Sequence, residues 1–192
     1  MRRIYIRHAE KEYKNMDSEL FALDPPITLV GLERSKQVAK KLIEEYGEPT
    51  KIVSSPFRRA RETSLIMNTM LRNPLDEIII DNNLSEYLGN HPNSELDVTM
   101  ATKIHKPPHP ESFEDMKKRV KKHIDKTRKQ DHDNPKEIVW YITHGLIMKQ
   151  IAHYFGIATT KNFPCLTCLK VSETAEMNKA EFLIFREKLC FI

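Results

Sequence analysis

The sequence predicts an α/β fold, a three-layer α/β/α sandwich built around a mostly parallel central sheet. Strand-like apolar runs alternate along the chain with helix-like segments, as they do when helices cover both faces of such a sheet. Three of these runs, at residues 4–8, 52–60 and 138–145, lead directly into histidine, serine or arginine residues. Because ligands bind at the carboxyl ends of parallel strands, this pattern brings two histidines and two arginines to one pocket.

The first strand and the first helix are predicted by different patterns. Residues 2–7 form a short apolar run of the buried-strand type, and a polar stretch without clear periodicity follows at 9–24. A proline pair after this stretch excludes a helix there, because proline fixes its own backbone and restricts the preceding residue. Residues 32–46 carry an apolar face at helical spacing, and Gly47 is typical of a helix C-terminus.

The middle of the chain predicts a strand, a helix and a third apolar run. Residues 51–54 form the second strand, and Ser55 as N-cap followed by proline predicts a helix that ends near residue 70. Residues 77–81, which include three consecutive isoleucines, form the third apolar run. Residues 84–110 are polar, irregular and proline-bearing, which predicts a long loop or small insertion near the site.

The helix after this loop has a capping signature and one apolar stripe. Ser112 is followed three residues later by Asp115, in the style of a capping box, so we expect the helix to begin there. Its inner stripe consists of residues at helical spacing: Phe113, Met116, Val120, Ile124 and Thr127. Its lysines are interpreted as a solvated face rather than a docking surface: Lys117, Lys118, Lys121, Lys122 and Lys126.

The C-terminal part of the chain predicts one more strand–helix unit and a hairpin. Residues 137–143 form the strand of that unit, and residues 145–155 form its helix. Residues 167–171 and 181–186 are two further strand candidates. The polar residues 172–179 between them are predicted to join the two strands as a hairpin.

Length and charge favour one domain that acts on an anion. The chain has 192 residues, enough for a real core, and we expect a single domain over residues 1–192 with a loop insertion at about 84–110. The formal net charge of +4 mildly favours a negatively charged substrate. Nucleic-acid binding is not expected, because the basic residues are spread along the chain and nucleic acid requires a clustered patch.

Several further features bear on the compartment and on partners. No apolar run approaches the roughly 20 residues that a membrane-spanning helix needs, so no membrane association is expected. The N-terminus runs into a strand and not into the apolar core of a signal sequence, which predicts a cytoplasmic protein. Cys165 and Cys168 have CxxC spacing, but a single pair without a histidine-rich partner segment is interpreted as two ordinary thiols. The sequence leaves the oligomeric state open.

Five short motifs occur in order along the chain. They are Arg7-His8-Ala9-Glu10, the run from Ser54 to Thr63, Leu84-Ser85-Glu86, Glu111-Ser112 with Arg119-Val120, and Thr143-His144-Gly145. Together they resemble the motifs of the histidine phosphatase superfamily, which includes the cofactor-dependent phosphoglycerate mutases. The resemblance spans residues 4 to 155 and implies a phosphoglycerate mutase-like fold of branch 1.

The resemblance implies a role for each site residue. The catalytic residues would be His8, Glu86 and His144. His8 would attack phosphorus and form a phosphohistidine, for which it must be neutral and oriented by a partner such as a backbone carbonyl. The residues that bind and stabilise the phosphoryl oxygens would be Arg7, Arg59, His144 and Gly145. Glu86 would donate a proton to the leaving oxygen and then accept one from water.

The resemblance further implies a metal-independent phosphatase without a cofactor, acting on a phosphorylated anionic substrate that is a small molecule or a phosphoprotein. Histidine and arginine already supply the nucleophile and the positive charge that a metal would otherwise provide. Two alternatives stay open: mutase-like phosphotransfer, and a catalytically weak phosphate-binding or adaptor protein. A mutase must exclude water, and the chain is shorter than the mutases, so hydrolysis is favoured.

One position departs from the family pattern, because Ala9 stands where glycine is most common. Alanine discourages positive φ, so a left-handed backbone at this position would be strained. Some phosphohistidine phosphatases of the superfamily also have alanine here, and we therefore still expect activity.

Overall fold

A six-stranded mixed sheet forms the centre of the part of the chain that the structure describes. The structure is a computed structural model and describes residues 2–12, 24–89, 111–133, 136–159, 162–173 and 178–183. The strands are β1 Arg2–Arg7, β2 Lys51–Ser54, β3 Ile79–Ile80, β4 Ile138–Thr143, β5 Cys168–Glu173 and β6 Asn178–Leu183. Their order is β3-β2-β4-β1-β5-β6, in which the first four run parallel and β5 pairs antiparallel with β1 and β6. The predicted α/β class with a mostly parallel sheet is confirmed.

Helices cover both faces of this sheet. The α-helices of the described residues are α1 Leu29–Tyr46, α2 Arg58–Asn68, α3 Phe113–Asp133 and α4 Gly145–Tyr154. Successive residues of a strand point to opposite faces. On one face Ile4 and Ile6 of β1 belong to a core with α1 and α2, and on the other Tyr5 belongs to a core with α3 and α4. The predicted three-layer arrangement is therefore confirmed.

The carboxyl ends of the central strands meet at one edge of the sheet. Arg7 at the end of β1 lies in register with Thr143 at the end of β4, and β2 ends beside them, opposite Ile142. Backbone hydrogen bonds continue one residue beyond β1 and β2. The residues that follow these strands are therefore neighbours: His8, Ser55 and His144.

Helix α1 begins at Leu29, earlier than the predicted start at residue 32. Its N-cap is Thr28, whose hydroxyl oxygen accepts a hydrogen bond from the amide of Gly31. Leu29 is 83% exposed, so periodicity gives no sign of this first turn. A Cβ at Gly31 would lie 2.7 Å from the carbonyl oxygen of Glu10, so glycine allows α1 to approach the segment that follows β1.

The prediction that Ser55 caps α2 is wrong. The helix begins at Arg58, and the carboxylate of Asp24 accepts a hydrogen bond from the Arg58 amide at 2.8 and 2.9 Å. Asp24 therefore supplies the cap from a distant part of the chain. Ser55 Oγ instead lies 2.8 Å from Nε2 of His144, so this side chain belongs to the site at the strand ends.

Other element boundaries also differ from the sequence prediction. Helix α2 ends slightly earlier than expected, at Asn68. Of the apolar run 77–81, only Ile79–Ile80 pairs with β2. Strands β5 and β6 extend into residues 172–179, which are predicted as their connection, and residues 184–186 of the predicted strand 181–186 lie outside the described residues. Antiparallel strands accommodate polar residues on a solvated face, which explains the extension.

Helix α3 begins with the predicted cap, because the amide of Asp115 donates to Ser112 Oγ at 3.1 Å. The other members of the predicted stripe are buried, but Phe113 is 41% exposed. The Phe113 ring packs edge-on against Tyr87, and Phe113 belongs to neither hydrophobic core of the described residues, so its assignment to the core stripe is wrong. A residue in the first turn of a helix can lie beyond the edge of the sheet that the later turns cover.

Parts of two segments predicted to be irregular lie outside the described residues. They are residues 13–23 of the polar stretch at 9–24 and residues 90–110 of the loop at 84–110. Within the described parts of the chain, no helix has both the length and the apolar character needed to cross a membrane.

Candidate active site

His8 directly follows β1 and is buried. Its Nδ1 lies 2.7 Å from the carbonyl oxygen of Ala9, the kind of partner that the sequence analysis expects. A carbonyl oxygen only accepts, so Nδ1 carries the proton and Nε2 carries the lone pair. Burial lowers the pKa of His8 well below its usual value, and nearby His144 and Arg59 lower it further. His8 is therefore a neutral imidazole with a nucleophilic Nε2.

Ala9 occupies its position without backbone strain. Its side chain is fully buried, and its amide donates a hydrogen bond to Thr63 Oγ1 at 3.0 Å. Among the described non-glycine residues, positive φ occurs at Leu166 and not at Ala9. Alanine in place of glycine therefore introduces no backbone strain next to His8.

Arg59, in the first turn of α2, is held by two carboxylates and an aromatic ring. Its Nη1 lies 3.2 Å from Oδ1 of Asp24, and its Nη2 lies 3.5 Å from Oε2 of Glu86. The guanidinium lies over the Phe57 ring, 4.7 Å from the ring centroid. Because Asp24 also caps α2, one carboxylate fixes both the start of the helix and the direction of the guanidinium.

Arg7, the last residue of β1, packs against the N-terminus of α4. Its Nη1 donates to the carbonyl oxygen of Phe163, and its buried Nε has no hydrogen-bond partner among the described residues. A Cβ at Gly145 would lie 3.4 Å from that Nε, so glycine lets the guanidinium approach the start of the helix. Helix N-termini attract anions through their free amide groups, which adds to the charge of Arg7.

His144 is fully buried between Ser55 and Glu86. Its Nε2 lies 2.8 Å from Ser55 Oγ, and its Nδ1 lies 3.2 Å from Glu86 Oε2. Burial lowers the pKa of His144 to about 4 although Glu86 opposes the shift, so the ring is neutral at pH 7. Because an ionised carboxylate only accepts, the proton lies on Nδ1 and Ser55 donates its hydroxyl proton to Nε2. Within the described residues Nδ1 makes no well-aligned hydrogen bond.

Glu86 completes this group, and its side chain is 24% exposed. Burial raises the pKa of Glu86, but the adjacent His144 and Arg59 outweigh burial and hold it below its usual range. With these neighbours, Glu86 is therefore ionised at neutral pH. The acid form that the family resemblance implies requires added negative charge beside the carboxyl group.

Side-chain contacts fix the loop that carries Glu86. Arg119 of α3 forms a bidentate ion pair with Glu111, with both N–O distances 2.7 Å. Nη1 of Arg119 donates to two carbonyl oxygens of the loop at 2.7 and 3.1 Å. The hydroxyl of Thr143 at the end of β4 donates to a third loop carbonyl at 2.8 Å. Helix α3 and the sheet together set the position of Glu86.

Three residues that position the site have a different predicted role or none. From the sequence, Asp24 is only the end of a polar stretch, Ser55 is a helix cap, and Arg119 belongs to a motif without an assigned role. The contacts that tie them to the site join residues 34 to 89 positions apart along the chain, so no local spacing shows these contacts. For Ser55 and Arg119 the available signal was membership of a family motif.

The site has donor atoms for either a cation or an anion. Atoms of His8, Glu86 and His144 lie within 4.8 Å of one another, a spacing that could accommodate a metal ion. Arg59 beside them and Arg7 across the pocket add two positive charges. Arg59 is paired with carboxylates, but Arg7 forms no ion pair among the described residues. Its charge repels a cation and favours an anion such as phosphate.

Comparison with known proteins assigns the family. The family model of the histidine phosphatase superfamily (branch 1) matches residues 4–182. The chain therefore belongs to the histidine phosphatase superfamily, branch 1. The predicted resemblance of the five sequence motifs to those of the histidine phosphatase superfamily is confirmed.

Individual relatives agree with this assignment. A protein of Hydrogenobacter thermophilus, provisionally named phosphoserine phosphatase 2, is 29% identical over 145 residues, which cover 70% of each chain. The phosphoglycerate mutase of Bacillus anthracis superposes with a TM-score of 0.70 at 16% identity, covering 95% of this chain and 92% of its own. The protein histidine phosphatase SixA, complexed with tungstate, superposes with a TM-score of 0.65 at 17% identity. The match covers 96% of this chain and 95% of the SixA chain. The two structures show that the fold is phosphoglycerate mutase-like.

Proposed function

We propose that this protein is a phosphomonoesterase that hydrolyses a phosphorylated small molecule or phosphoprotein through a phosphohistidine at His8. The observation that carries the proposal is the hydrogen bond from His8 Nδ1 to the Ala9 carbonyl, which leaves the Nε2 lone pair for attack. Arg7 and Arg59 bring positive charge to the same pocket for the phosphoryl oxygens. The names of the Hydrogenobacter protein and of SixA, both phosphatases, support hydrolysis.

In the first half-reaction, Nε2 of His8 forms a bond to phosphorus while the ester P–O bond breaks. Glu86 gives its proton to the leaving oxygen, which departs as an alcohol. Arginine and histidine donors stabilise the charge that develops on the phosphoryl oxygens. In the described residues, Nε of Arg7 and Nδ1 of His144 are buried donors without aligned partners, and phosphoryl oxygens would satisfy both.

Binding of the substrate has to supply the proton that Glu86 donates to the leaving oxygen. Glu86 on its own is ionised at neutral pH, because His144 and Arg59 hold its pKa below the usual range in spite of burial. A phosphate group beside the carboxylate adds negative charge and raises the pKa of Glu86. A phosphomonoester monoanion also carries a proton, which it loses with a pKa of about 6. The complex of monoanion and site therefore contains the proton needed for departure of the alcohol.

In the second half-reaction, water attacks the phosphorus of the phosphohistidine and the P–N bond breaks. The Glu86 carboxylate accepts the proton of that water, inorganic phosphate leaves, and His8 is again neutral. The 24% exposure of the Glu86 side chain supports access of water to this position. Mutase-like transfer would instead require the phosphohistidine to be protected from water.

The proposal is tested by phosphate release from a panel of phosphomonoesters, with wild type and His8→Ala measured in parallel. We expect the wild type to turn over one class of ester and the variant to release no phosphate above background. If neither releases phosphate, exchange between positions of a phosphoglycerate with a bisphosphoglycerate primer would indicate a mutase. Failure of both assays would favour the binding-protein alternative.

A further inference from the structure

A cavity of about 220 Å³ adjoins the phosphate site on the side of Glu86. It shares three residues with that site, namely Arg7, Glu86 and Gly145. Its outer wall consists of Leu146, Lys149, Asn162 and Phe163. We call it the leaving-group cavity, because Glu86, the proposed acid for the leaving oxygen, forms part of its wall.

The outer wall of the leaving-group cavity carries a positive charge. Lys149 lies one turn after Gly145 on α4, so the two residues share a helix face and are about 6 Å apart along the axis. Nζ of Lys149 donates to Oδ1 of Asn162 at 2.8 Å. Among the described residues, no carboxylate forms an ion pair with Lys149. Its charge is therefore available to an anionic group in the cavity.

We propose that Lys149 and Asn162 bind a second anionic group, a carboxylate or a second phosphate, on the leaving alcohol. The substrate would then be a short-chain phosphomonoester that carries this second negative charge. The inference rests on the proposed function and narrows its substrate class. An ammonium group can donate to either kind of oxygen, and the amide nitrogen of Asn162 adds a further donor.

The dimensions of the cavity support a small substrate. Its volume of about 220 Å³ is below the roughly 300–1,000 Å³ typical of pockets for larger ligands. Leu146 and Phe163 provide apolar contacts for a carbon chain between the ester oxygen and the second anionic group. These features favour a small molecule over a phosphorylated protein side chain.

The spacing of the two anion sites is fixed by a direct contact. Nη1 of Arg7 donates to the carbonyl oxygen of Phe163, the residue that follows Asn162. The segment that carries Asn162 is thereby tied to the arginine that would bind the phosphoryl oxygens. We expect selectivity for the length of the chain between the two anionic groups as well as for charge.

The test compares kcat/KM for three esters with a three-carbon chain. Glycerol 3-phosphate has no second anionic group, 3-phosphoglycerate has a carboxylate, and propane-1,3-diol bisphosphate has a second phosphate. We expect the wild type to prefer at least one of the charged esters over glycerol 3-phosphate by about tenfold or more. We call Lys149 and Asn162 together the subsite. The preferred charged ester identifies the group that the subsite binds.

Variants of the subsite should change this preference. The ratio measured is kcat/KM for the preferred charged ester divided by kcat/KM for glycerol 3-phosphate. Lys149→Gln should reduce this ratio about tenfold, mainly by raising KM for the charged ester. Asn162→Asp should also reduce it, because the new carboxylate would pair with Lys149. Lys118→Gln is the matched control, since Lys118 is 78% exposed on α3, and it should leave the ratio unchanged.

Each outcome decides between the subsite and the proposed function. A wild-type ratio near one, or an unchanged ratio in Lys149→Gln, would overturn the subsite and leave the phosphatase function in place. Hydrolysis of p-nitrophenyl phosphate but of none of the three esters would also overturn the subsite alone. If the wild type hydrolyses none of the four compounds, the proposed function fails and the subsite fails with it.

Discussion

The two sides of the active site are built by different kinds of contact. His8, Arg7 and His144 end or directly follow β1 and β4, so the backbone pairing of the sheet places them. Glu86 lies instead on a loop whose carbonyl oxygens are held by side chains of Arg119 and Thr143. In the proposed function, the sheet therefore fixes the groups that would act on phosphorus. Side-chain contacts fix the group that would act on the leaving alcohol.

We call His8, Arg7 and His144 the strand-end side of the site, and Glu86 with its loop the loop side. A change on the strand-end side should affect all substrates equally. Arg7→Met removes a donor to the phosphoryl oxygens, and we expect kcat/KM to fall about 10²–10³-fold. The loss should be similar for an alkyl phosphate and for p-nitrophenyl phosphate, because both present the same phosphoryl group. Steady-state kinetics with the two esters measures it. A loss confined to the alkyl ester would contradict the division between the two sides.

A change on the loop side should instead depend on the leaving group. Glu86→Gln cannot donate or accept the proton, and we expect kcat for an alkyl phosphate to fall about 10²-fold. The loss with p-nitrophenyl phosphate should be less than about tenfold in the first half-reaction, because nitrophenolate leaves without protonation. Pre-steady-state release of nitrophenol isolates that step. An equal loss for both esters would remove Glu86 from the role of acid.

A substitution of Arg119 tests whether the side-chain contacts that hold the Glu86 loop affect the rate of the reaction. Arg119→Lys keeps the charge but loses the bidentate fork toward Glu111 and one or both loop carbonyl contacts. We expect kcat for alkyl phosphates to fall about tenfold, with the same dependence on the leaving group as for Glu86→Gln. Thermal unfolding measured in parallel confirms that the variant is folded. A loss independent of the leaving group would indicate only a structural role.

The pH dependence should reflect the proton on the loop side and not the nucleophile. Folding lowers the pKa of His8, mainly through burial, so His8 stays neutral as the pH falls below its ordinary value of about 6.5. The proton needed by Glu86 becomes scarcer as the pH rises, so kcat/KM should decline above the phosphate pKa of about 6. Esters with different phosphate pKa values should shift the decline accordingly. A profile that rises with pH over this range would contradict the assignment.

The layered fold was largely predictable because the central strands and the inner faces of the helices follow strict periodicities. The first turn of α1 was missed because its leading residue, Leu29, is exposed and its cap is the hydroxyl of Thr28. The sequence predicts Ser55 as a helix cap because serine before proline is a local signal for a helix start, whereas its hydroxyl contacts His144 in the structure. The competing partner, His144, lies 89 residues away and leaves no local signal.

The candidate site was predictable to different extents on its two sides. His8 and His144 follow apolar strands, and strand-end position alone brings them together in a parallel sheet. Glu86 could be assigned only through the family motif, because nothing in its own surroundings distinguishes it from other loop carboxylates. Its lowered pKa depends on His144 and Arg59, which are close in space and distant in sequence. Sequence patterns therefore predict the groups that the backbone places better than those that side chains place.

The most direct test of the central claim is to trap the phosphoenzyme during turnover and map the phosphorylated atom. Wild-type protein is mixed rapidly with labelled ester, quenched in alkali and digested, and His8→Ala serves as the control. We predict a phosphohistidine at His8 on Nε2, because Nδ1 donates to the Ala9 carbonyl, and we predict no label in the variant. Label on Ser55 or His144, or rapid turnover without any phosphoenzyme, would contradict it.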